Sequence, residues 1–391
     1  MRELTFSLKL PKIIFGINAI EKIGDEVEKF GGNKILIVTD KVLEKIGLLK
    51  NVLKPLQKKD FNISIFKTEP EPTIEMAEKV AEVVRKTSFD LIIGVGGGSC
   101  LDTAKVASIA STNLGSIKQY IGIDKIKKAG LPKILVPTTA GTGSEVTPNA
   151  IIVTSDDFMK TGIVSEYNVA ELAIVDPKMT LSMPPRLTAT TGLDALSHAI
   201  ESYMSIKSNP LTDALAIKAT ELIFNNIYSA FINGKNIKAR SNMSLAALMA
   251  GITISLSGTC AGHAAAYAFA AKYKISHGLS CAISLPYIIK YNAIACPSKI
   301  IKIAQLIDRD AGYTLEEAVR KVIERIMDLM KKLNIPYRLK DLNIPAEDIP
   351  NLAKRMLKNT RLLVNNPRKL SEEDAIGIFK NMWKGELKKE I

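Results

Sequence analysis

The chain has 391 residues, of which 47% are hydrophobic and 24% charged, a composition typical of a globular protein long enough for two domains. No run of about 18 apolar residues appears, and the first residues lack the apolar stretch of a signal peptide, so we expect neither a membrane span nor secretion. The lysines behind the net charge of +13 are dispersed, which favours a basic surface that attracts anionic nucleotides over a nucleic-acid-binding patch. Four scattered cysteines without C-x-x-C spacing predict reduced thiols and a cytoplasmic location.

The first half of the chain alternates short runs rich in isoleucine and valine with helical stretches. The predicted strands are residues 35–39, 63–66, 91–95, 134–136, 151–153 and 173–175, and the predicted helices are residues 19–30, 73–86 and 101–112. This alternation predicts an α/β domain built on a doubly wound, mostly parallel sheet.

A glycine-rich loop, Gly96-Gly97-Gly98-Ser99, follows the predicted strand at 91–95 and precedes a helix. Its bare backbone can approach a pyrophosphate closely, and the N–H groups and dipole of the helix would meet the negative charge. Ser99 is expected to cap this helix, with Asp102 as its capping-box partner. The loop matches neither the G-x-G-x-x-G nor the P-loop pattern, and alone it is equally compatible with an ordinary turn.

A second loop of small residues, Pro137-Thr-Thr-Ala-Gly-Thr-Gly-Ser-Glu145, follows the predicted strand at 133–136. Two such loops after two parallel strands suit a ligand that has both a diphosphate and a ribose. Met183-Pro-Pro185 then interrupts the pattern, and the rest of the chain is predicted to be helical at residues 188–204, 211–232, 239–255, 261–273, 300–307, 315–333 and 349–358. We therefore predict an α/β nucleotide-binding domain, residues 1–182, and an all-helical domain, residues 183–391, with the ligand site in the cleft between them.

All three histidines, His198, His263 and His277, lie in the helical half. Asp194 precedes His198 by four residues, which places a carboxylate and an imidazole on one face of a helix. Together the four side chains form a candidate site for a divalent metal, with one carboxylate and three imidazoles. The alternative for any single histidine is a satisfied core residue or a surface residue.

Motifs in both halves make the chain similar to the iron-dependent (group III) alcohol dehydrogenases. They are Gly96-Gly-Gly-Ser-x-x-Asp-x-x-Lys105, Pro137-Thr-Thr-Ala-Gly-Thr-Gly-Ser-Glu-Val146, Gly192-Leu-Asp-Ala-Leu-Ser-His-Ala-Ile-Glu201, Gly262-His263, Ser276-His277-Gly278 and Asn366-Pro-Arg368. The resemblance implies a dehydroquinate-synthase-like fold, a homodimer, and NAD(P)-dependent oxidation of alcohols or reduction of aldehydes and ketones. It places the family's metal ligands on Asp194, His198, His263 and His277.

The resemblance also places cofactor-binding positions in the first half, at Asp40, Gly97, Gly98, Ser99, Thr138, Thr139, Asn149 and Lys160. Gly96, Asp102 and Thr142 belong to the same two loops and complete the predicted cofactor site. Asp40 ends a strand, where an acid can accept hydrogen bonds from a ribose and repel the 2′-phosphate of NADP. This favours NAD, although Lys41 could turn towards such a phosphate. Asp40 is also a candidate helix N-cap, and both roles can hold.

The predicted chemistry follows from the charge of the site. A divalent ion held by one carboxylate and three neutral imidazoles carries a net charge of about +1, so it should lower the pKa of a bound alcohol. Hydride can then leave the carbinol carbon for the nicotinamide C4; in reverse, the ion polarises a carbonyl. Four protein ligands would saturate the tetrahedral geometry usual for zinc, so Fe²⁺ is the predicted ion and Zn²⁺, which binds more tightly, the alternative.

Three positions depart from the pattern of the family. Tyr267 stands where a second histidine is usual; tyrosine titrates near about pH 10, so a proton would leave through cofactor hydroxyls and water instead. Ser276 replaces a proline, and Pro70-Glu71-Pro72-Thr73 replaces Pro-Asn-Pro-Thr on the adenine side. Tyr267 and Cys260 either line the substrate pocket or pack on a helix.

Other activities remain as alternatives to an alcohol dehydrogenase or aldehyde reductase. A glycerol-dehydrogenase-like enzyme and a maleylacetate-reductase-like enzyme use the same scaffold. A dehydroquinate-synthase-like lyase is disfavoured by the extra histidine ligand and by the single carboxylate–imidazole pair at a spacing of four. A metal-dependent hydrolase would not explain the glycine loops. A nucleotide-binding module without catalysis would not explain the metal ligands.

Overall fold

Nine strands are formed by the residues that the computed structural model describes, which are 5–154, 160–270, 272–309 and 312–387. They are β1 (Lys12–Phe15), β2 (Lys34–Asp40), β3 (Asn62–Thr68), β4 (Leu91–Gly96), β5 (Gly122–Ile123), β6 (Lys133–Pro137), β7 (Asn149–Val153), β8 (Lys160–Val164) and β9 (Leu172–Val175). Six of them form a wholly parallel sheet in the order β1-β9-β6-β4-β2-β3. The predicted parallel α/β architecture is confirmed.

Both faces of this sheet are covered, as strand β2 shows. Its side chains alternate between two cores: Leu36 and Val38 pack with residues of helices α4 (Ile74–Lys86) and α5 (Gly98–Ala110), which lie on one face. Ile35 and Ile37 pack on the other face with residues of α1 (Ile23–Glu28) and α3 (Lys50–Gln57). Because side chains of a strand point alternately to the two faces, near-continuous apolar runs are what a doubly covered parallel strand requires.

The predicted strand at 151–153 lies outside the main sheet. It belongs to β7, which pairs antiparallel with β8, and β8 pairs in turn with the short β5. Strands β1, β5 and β8, the short helix α2 (Lys41–Lys45) and helix α3 were not predicted. The predicted helix at 19–30 consists of a 3₁₀ turn, Ala19–Lys22, followed by α1.

The second half is helical, as predicted. Its helices are α6 (Pro185–Met204), α7 (Pro210–Ile232), α8 (Ile237–Ser257), α9 (Ala261–Ala270), α10 (His277–Asn292), α11 (Pro297–Ala304), α12 (Leu315–Lys332), α13 (Ile349–Leu357), α14 (Thr360–Leu363) and α15 (Glu372–Lys384). Pro185 opens α6 at a position where its missing N–H costs nothing. Helices α10, α14 and α15 were not predicted. Within the described ranges no single helix has the length and apolarity of a membrane span; α8 and α9 reach them only jointly, across a bend of 103°.

The chain separates into two compact units. One comprises Ser7–Met183 and Gly234–Ser244, and the other comprises the described residues of Met1–Phe6, Pro184–Asn233 and Leu245–Ile391. Arg240 explains why the segment from Gly234 groups with the α/β unit. Its buried guanidinium donates hydrogen bonds to the backbone oxygens of Gly234 (2.9 Å) and Met183 (3.0 Å).

Candidate functional site

The four predicted metal ligands lie together in the helical unit. Asp194 and His198 are one turn apart on α6, His263 is on α9, and His277 is the first residue of α10. One donor atom from each lies within 4.8 Å of the donor atoms of the other three. Asp194 Oδ1 is 3.9 Å from the Nε2 atoms of His198 and His263 and 3.5 Å from Nε2 of His277. Atoms that bind one cation at about 2.0–2.2 Å are separated by distances of this order.

Two donor atoms of this cluster lack hydrogen-bond partners among the residues described. Asp194 Oδ1 and His263 Nε2 are both buried without a partner. Leaving buried polar atoms unpaired is costly, and native proteins rarely do so without a reason. A divalent cation would satisfy both atoms at once, so the residues present fit the metal implied by the sequence.

Asp194 is held in its charged form. Burial acts to raise its pKa, but the three histidines around it, together with a hydrogen bond from Cys281, outweigh burial and keep the pKa below the usual value. The side chain of His277 is 24% exposed, whereas that of Asp194 is only 2% exposed. The cluster is therefore open to solvent on the side of His277.

Glu201 supports the cluster and was not predicted as a site residue. Its Oε1 lies 2.7 Å from Nδ1 of His263, and its Oε2 accepts hydrogen bonds from the backbone N–H groups of Cys260 (2.8 Å) and His263 (3.2 Å). The carboxylate favours the tautomer with the proton on Nδ1, which leaves the Nε2 lone pair for a metal. The signal was present in the sequence, because Asp194, His198 and Glu201 follow one another at spacings of four and three along one helix face.

Two glycines of the sequence motifs allow this close packing. A Cβ atom on Gly262 would lie 2.5 Å from Glu201 Oε1, so any side chain there would displace the carboxylate. A Cβ atom on Gly278 would lie 2.3 Å from the backbone oxygen of Thr190, so this glycine lets α10 begin against α6. In the motifs Gly262-His263 and His277-Gly278, a glycine thus stands next to each histidine ligand because a larger residue at that position would clash with α6.

Asn366 fixes the start of α9. Its Oδ1 accepts hydrogen bonds from the N–H of Ala261 (3.2 Å) and from Nδ2 of Asn292 (2.8 Å). Its own amide group donates back to Asn292 Oδ1 at 2.8 Å. Because His263 is the third residue of α9, this pair of asparagines positions a predicted metal ligand and explains the Asn366-Pro-Arg368 motif.

Tyr267 lies one turn after His263 on α9. Its ring centroid is 5.5 Å from that of His277 and 6.3 Å from that of His263. The phenol thus borders the cluster next to the more exposed histidine. Cys260 is fully buried, and its Sγ lies 3.3 Å from the backbone oxygen of Glu201, which assigns this cysteine to packing.

In the α/β unit, the glycine loop connects β4 to the start of α5, as predicted. Gly96 has a φ of 153°, and a Cβ atom there would lie 2.4 Å from Cys100 Sγ. A Cβ atom on Gly98 would lie 2.9 Å from Cγ2 of Thr142 in the second loop. The N–H of Thr138 donates to the oxygen of Gly96 at 3.0 Å, so the two loops are bound to each other. Gly97 and Thr139 lie in the same pair of loops.

The capping box predicted for Ser99 and Asp102 is wrong. Helix α5 begins at Gly98 with Gly97 as its N-cap, so Ser99 is already inside the first turn. The Ser99 hydroxyl accepts a hydrogen bond from the N–H of Glu71 at 3.0 Å. Asp102 instead accepts hydrogen bonds from the Ser144 hydroxyl (2.6 Å) and the N–H of Ile151 (3.0 Å). The glycines start the helix earlier than a serine cap would.

Asp102 and Asn149 take part in a buried network around Lys105. The Lys105 ammonium donates to the Asn149 backbone oxygen (2.6 Å) and the Ser144 hydroxyl (2.8 Å), and it lies 3.6 Å from Asp102 Oδ1. Burial lowers the pKa of Lys105 to about 8. These contacts tie α5 to the second loop and to β7. Two of the predicted cofactor residues, Asp102 and Asn149, therefore help to hold the loops in shape.

Asp40 is the N-cap of α2, in line with one of its two predicted roles. Its Oδ1 accepts hydrogen bonds from the N–H groups of Val42 (2.8 Å) and Leu43 (2.9 Å), while its Oδ2 is 3.6 Å from Cys100 Sγ. The remaining predicted cofactor residue, Lys160, opens β8 and forms an ion pair with Glu71 at 2.8 Å.

Comparisons with known proteins agree in both halves of the chain. Residues 11–177 match the family model described as iron-containing alcohol dehydrogenase, and residues 188–383 match the C-terminal model of the Fe-containing alcohol dehydrogenase family. Long-chain-alcohol dehydrogenase 1 of Geobacillus thermodenitrificans (strain NG80-2) is 37% identical over 375 residues, which cover 95% of this chain and 94% of that protein.

Two solved structures extend the comparison to the fold. The crystal structure of a 1,3-propanediol oxidoreductase superposes with a TM-score of 0.94 at 36% identity, covering 97% of this chain and all (100%) of that one. Sulfoacetaldehyde reductase from Bifidobacterium kashiwanohense, solved in complex with NAD⁺, gives a TM-score of 0.86 at 30% identity, covering 97% of this chain and 99% of that one.

Proposed function

The chain belongs to the iron-containing alcohol dehydrogenase family and has its dehydroquinate-synthase-like fold, and from this premise we propose how its residues serve catalysis. It is a metal-dependent, NAD-linked alcohol dehydrogenase that also acts as an aldehyde or ketone reductase. We assign the catalytic cation to Asp194, His198, His263 and His277. The amino-terminal domain, residues 1–182, binds the cofactor, and the helical domain, residues 183–391, holds the metal.

One observation carries the metal assignment: Asp194 Oδ1 and His263 Nε2 are buried without a hydrogen-bond partner in the described part of the chain, inside a cluster of four donors. When bound, the cation supplies a Lewis acid that lowers the pKa of an alcohol hydroxyl or polarises a carbonyl, and NAD supplies the hydride acceptor. Asp194 contributes the one negative charge of the ligand set. Glu201 orients His263. Because the side chains of Glu201 and His263 are both buried, water is kept from competing for the cation.

We propose Fe²⁺ as the functional ion. Four protein ligands leave no open position in a tetrahedral site, so a substrate needs a fifth or sixth position, which Fe²⁺ accepts more readily than Zn²⁺. Zn²⁺ ranks above Fe²⁺ in affinity for such sites and is expected to compete during purification. The test is the turnover of metal-free protein after anaerobic loading with each ion; the highest turnover with Zn²⁺ would overturn the assignment.

We propose NAD as the preferred cofactor. The start of α5 after Gly96, Gly97 and Gly98 offers backbone N–H groups and a helix dipole to the pyrophosphate. The residues assigned to cofactor binding are Asp40, Gly96, Gly97, Gly98, Ser99, Asp102, Thr138, Thr139, Thr142, Asn149 and Lys160. Asp40 ends β2, and its Oδ2 lies beside α5. A carboxylate at this position accepts a hydrogen bond from a ribose hydroxyl and repels the negative charge of a 2′-phosphate. NADP is the alternative, through the exposed Lys41.

For the substrate we propose primary alcohols and their aldehydes. Tyr267 borders the ligand cluster and can donate a hydrogen bond to the substrate oxygen. The proton then leaves through ribose hydroxyls and water. We also propose a homodimer, which the family resemblance implies, and a cytoplasmic location, which the four free cysteines favour.

The decisive experiment measures metal dependence. Protein freed of metal by a chelator is reloaded with Fe²⁺, and NADH formation is followed with a panel of primary alcohols, then NADH consumption with the matching aldehydes. We expect no turnover without metal and recovery on loading. An anomalous-scattering map, with and without NAD, should place the ion among the four ligands. Undiminished turnover in fully metal-free protein would refute the proposal.

A further inference from the structure

The loop between β3 and α4 carries a charged contact that the proposed cofactor site does not explain. Lys160 Nζ lies 2.8 Å from Glu71 Oε1, and the lysine side chain is 7% exposed against 37% for the glutamate. Lys160 is one of the residues assigned to the cofactor. Its positive charge is therefore already engaged by a carboxylate of the same unit.

The position of Glu71 is fixed by its surroundings. The residue stands between Pro70 and Pro72 with a φ of 54°, a left-handed conformation that is uncommon for a residue of this size. Its N–H donates to the Ser99 hydroxyl, and the oxygen of Pro72 accepts a hydrogen bond from the N–H of Val153 at 2.9 Å. Backbone conformations of this kind persist where neighbouring structure determines them, often at ligand sites.

Two acids thereby flank the first turn of α5. The Asp40 carboxylate lies 3.6 Å from Cys100 Sγ, and the backbone N–H of Glu71 donates to the hydroxyl of Ser99, the preceding residue of the same helix, while the Glu71 carboxylate contacts Lys160. Asp40 ends β2, and Glu71 follows β3, which pairs parallel with β2. A ribose bound by Asp40 would present its 2′ position at this edge, where an added phosphate needs a cation to neutralise it.

We propose that the Glu71–Lys160 ion pair is a determinant of cofactor specificity, because it withholds the Lys160 ammonium from the 2′-phosphate of NADP. The inference rests on the proposed cofactor site and deepens it. NAD, which lacks that phosphate, is bound without breaking the pair. NADP has two ways to bind, and both weaken its affinity. Either the ion pair breaks so that Lys160 can neutralise the 2′-phosphate, or the pair stays intact and the phosphate has no counter-charge.

The test compares Glu71→Gln with the unchanged protein. Dissociation constants for NAD and NADP are measured by calorimetry, together with kcat/KM for each cofactor. We expect the preference to shift towards NADP by about tenfold, the size expected for one released charge near a phosphate. The shift should shrink in about 1 M salt, where charges are screened over about 3 Å.

Three further variants make the result specific. Glu69→Gln removes an exposed carboxylate from the same loop and should change the preference less than twofold, which measures the effect of net charge alone. In Glu71→Gln combined with Lys160→Gln the gain should disappear, because no ammonium is released. Glu71→Asn repeats the test with a residue that tolerates a positive φ, should the glutamine variant fold poorly.

The outcomes separate this inference from the proposed function. If the unchanged protein binds neither cofactor, the proposed function fails. If it binds and uses NAD while Glu71→Gln and Glu71→Asn leave the cofactor preference within twofold, the inference alone is overturned. An equal shift in Glu69→Gln, or a shift that survives in the double variant, would also overturn it.

Discussion

The metal-ligand cluster and the cofactor loops use their side chains in opposite ways. In the cluster, Asp194 and His263 carry buried donor atoms without partners in the described residues, so the side chains themselves are built to bind. In the loops, Asp40 and Asp102 are already hydrogen-bonded to the protein. There these hydrogen bonds shape the backbone, whose N–H groups are left to meet the pyrophosphate, and Asp40 keeps only its Oδ2 for the ribose. A substitution in the cluster should therefore remove a function, whereas one in the loops should adjust it.

The strongest test of this contrast is His263→Ala. The change removes one of four donors, so we expect the metal to be lost and turnover to fall at least about a thousandfold. Affinity for NAD should stay within about twofold, because no cofactor residue is altered. Metal analysis, NADH formation and calorimetric titration with NAD provide the three measurements. A variant with full turnover would remove the cation from the reaction.

Glu201→Gln probes the support of the cluster. The glutamine keeps the shape of the side chain but removes the charge that orients His263, so we expect metal affinity to fall about 10–100-fold. Competition with a chelator measures the affinity, and excess Fe²⁺ should restore part of the turnover. Unchanged affinity would limit Glu201 to holding the backbone of α9.

Gly262→Ala tests whether the space beside Glu201 is needed. The added Cβ would meet the carboxylate at 2.5 Å, and we expect the free energy of unfolding to drop by about 1–3 kcal/mol, with weaker metal binding. Gly377→Ala is the matched control, because a Cβ at this position of α15 meets nothing within 4 Å. The control should gain about 0.5–1 kcal/mol. Equal effects on both variants in thermal unfolding would contradict the prediction.

The smallest effects are expected at Asp40, where two variants separate its two roles. Asp40→Asn keeps a good N-cap for α2 but removes the charge, so the preference for NADP should rise about tenfold without loss of stability. Asp40→Ala should shift the preference similarly and also lower the free energy of unfolding by about 1 kcal/mol, as a lost cap does. Cofactor kinetics and denaturant unfolding of both variants check this, and an unchanged preference in both would assign Asp40 to capping alone.

Strongly patterned segments were predictable from the sequence. Residues 35–39 and 91–95 are apolar throughout or nearly so, because both faces of the sheet are covered. Both segments were predicted as strands, and they lie in β2 and β4. The four clustered ligands were also identifiable, because the chain has only three histidines and one of them, His198, follows Asp194 at helical spacing.

Elements without a clear pattern were missed. Helix α10 contains Gly278 near its start and Pro286 inside, and it is buried almost all round, so it shows neither helix propensity nor a polar face. Strand β1 is short and shows no alternation, because its two end residues are exposed and its two middle residues are partly buried. The Glu71–Lys160 pair joins positions 89 residues apart, and no local periodicity reports such a contact.

The hydrogen bond from Ala261 to Asn366 spans 105 residues of the chain. During synthesis, the turn that presents His263 cannot be locked in place until Asn366 has left the ribosome. The catalytic cation should therefore be acquired only after Asn366 has been synthesised, and nascent chains stalled before Asn366 should retain little of the ion.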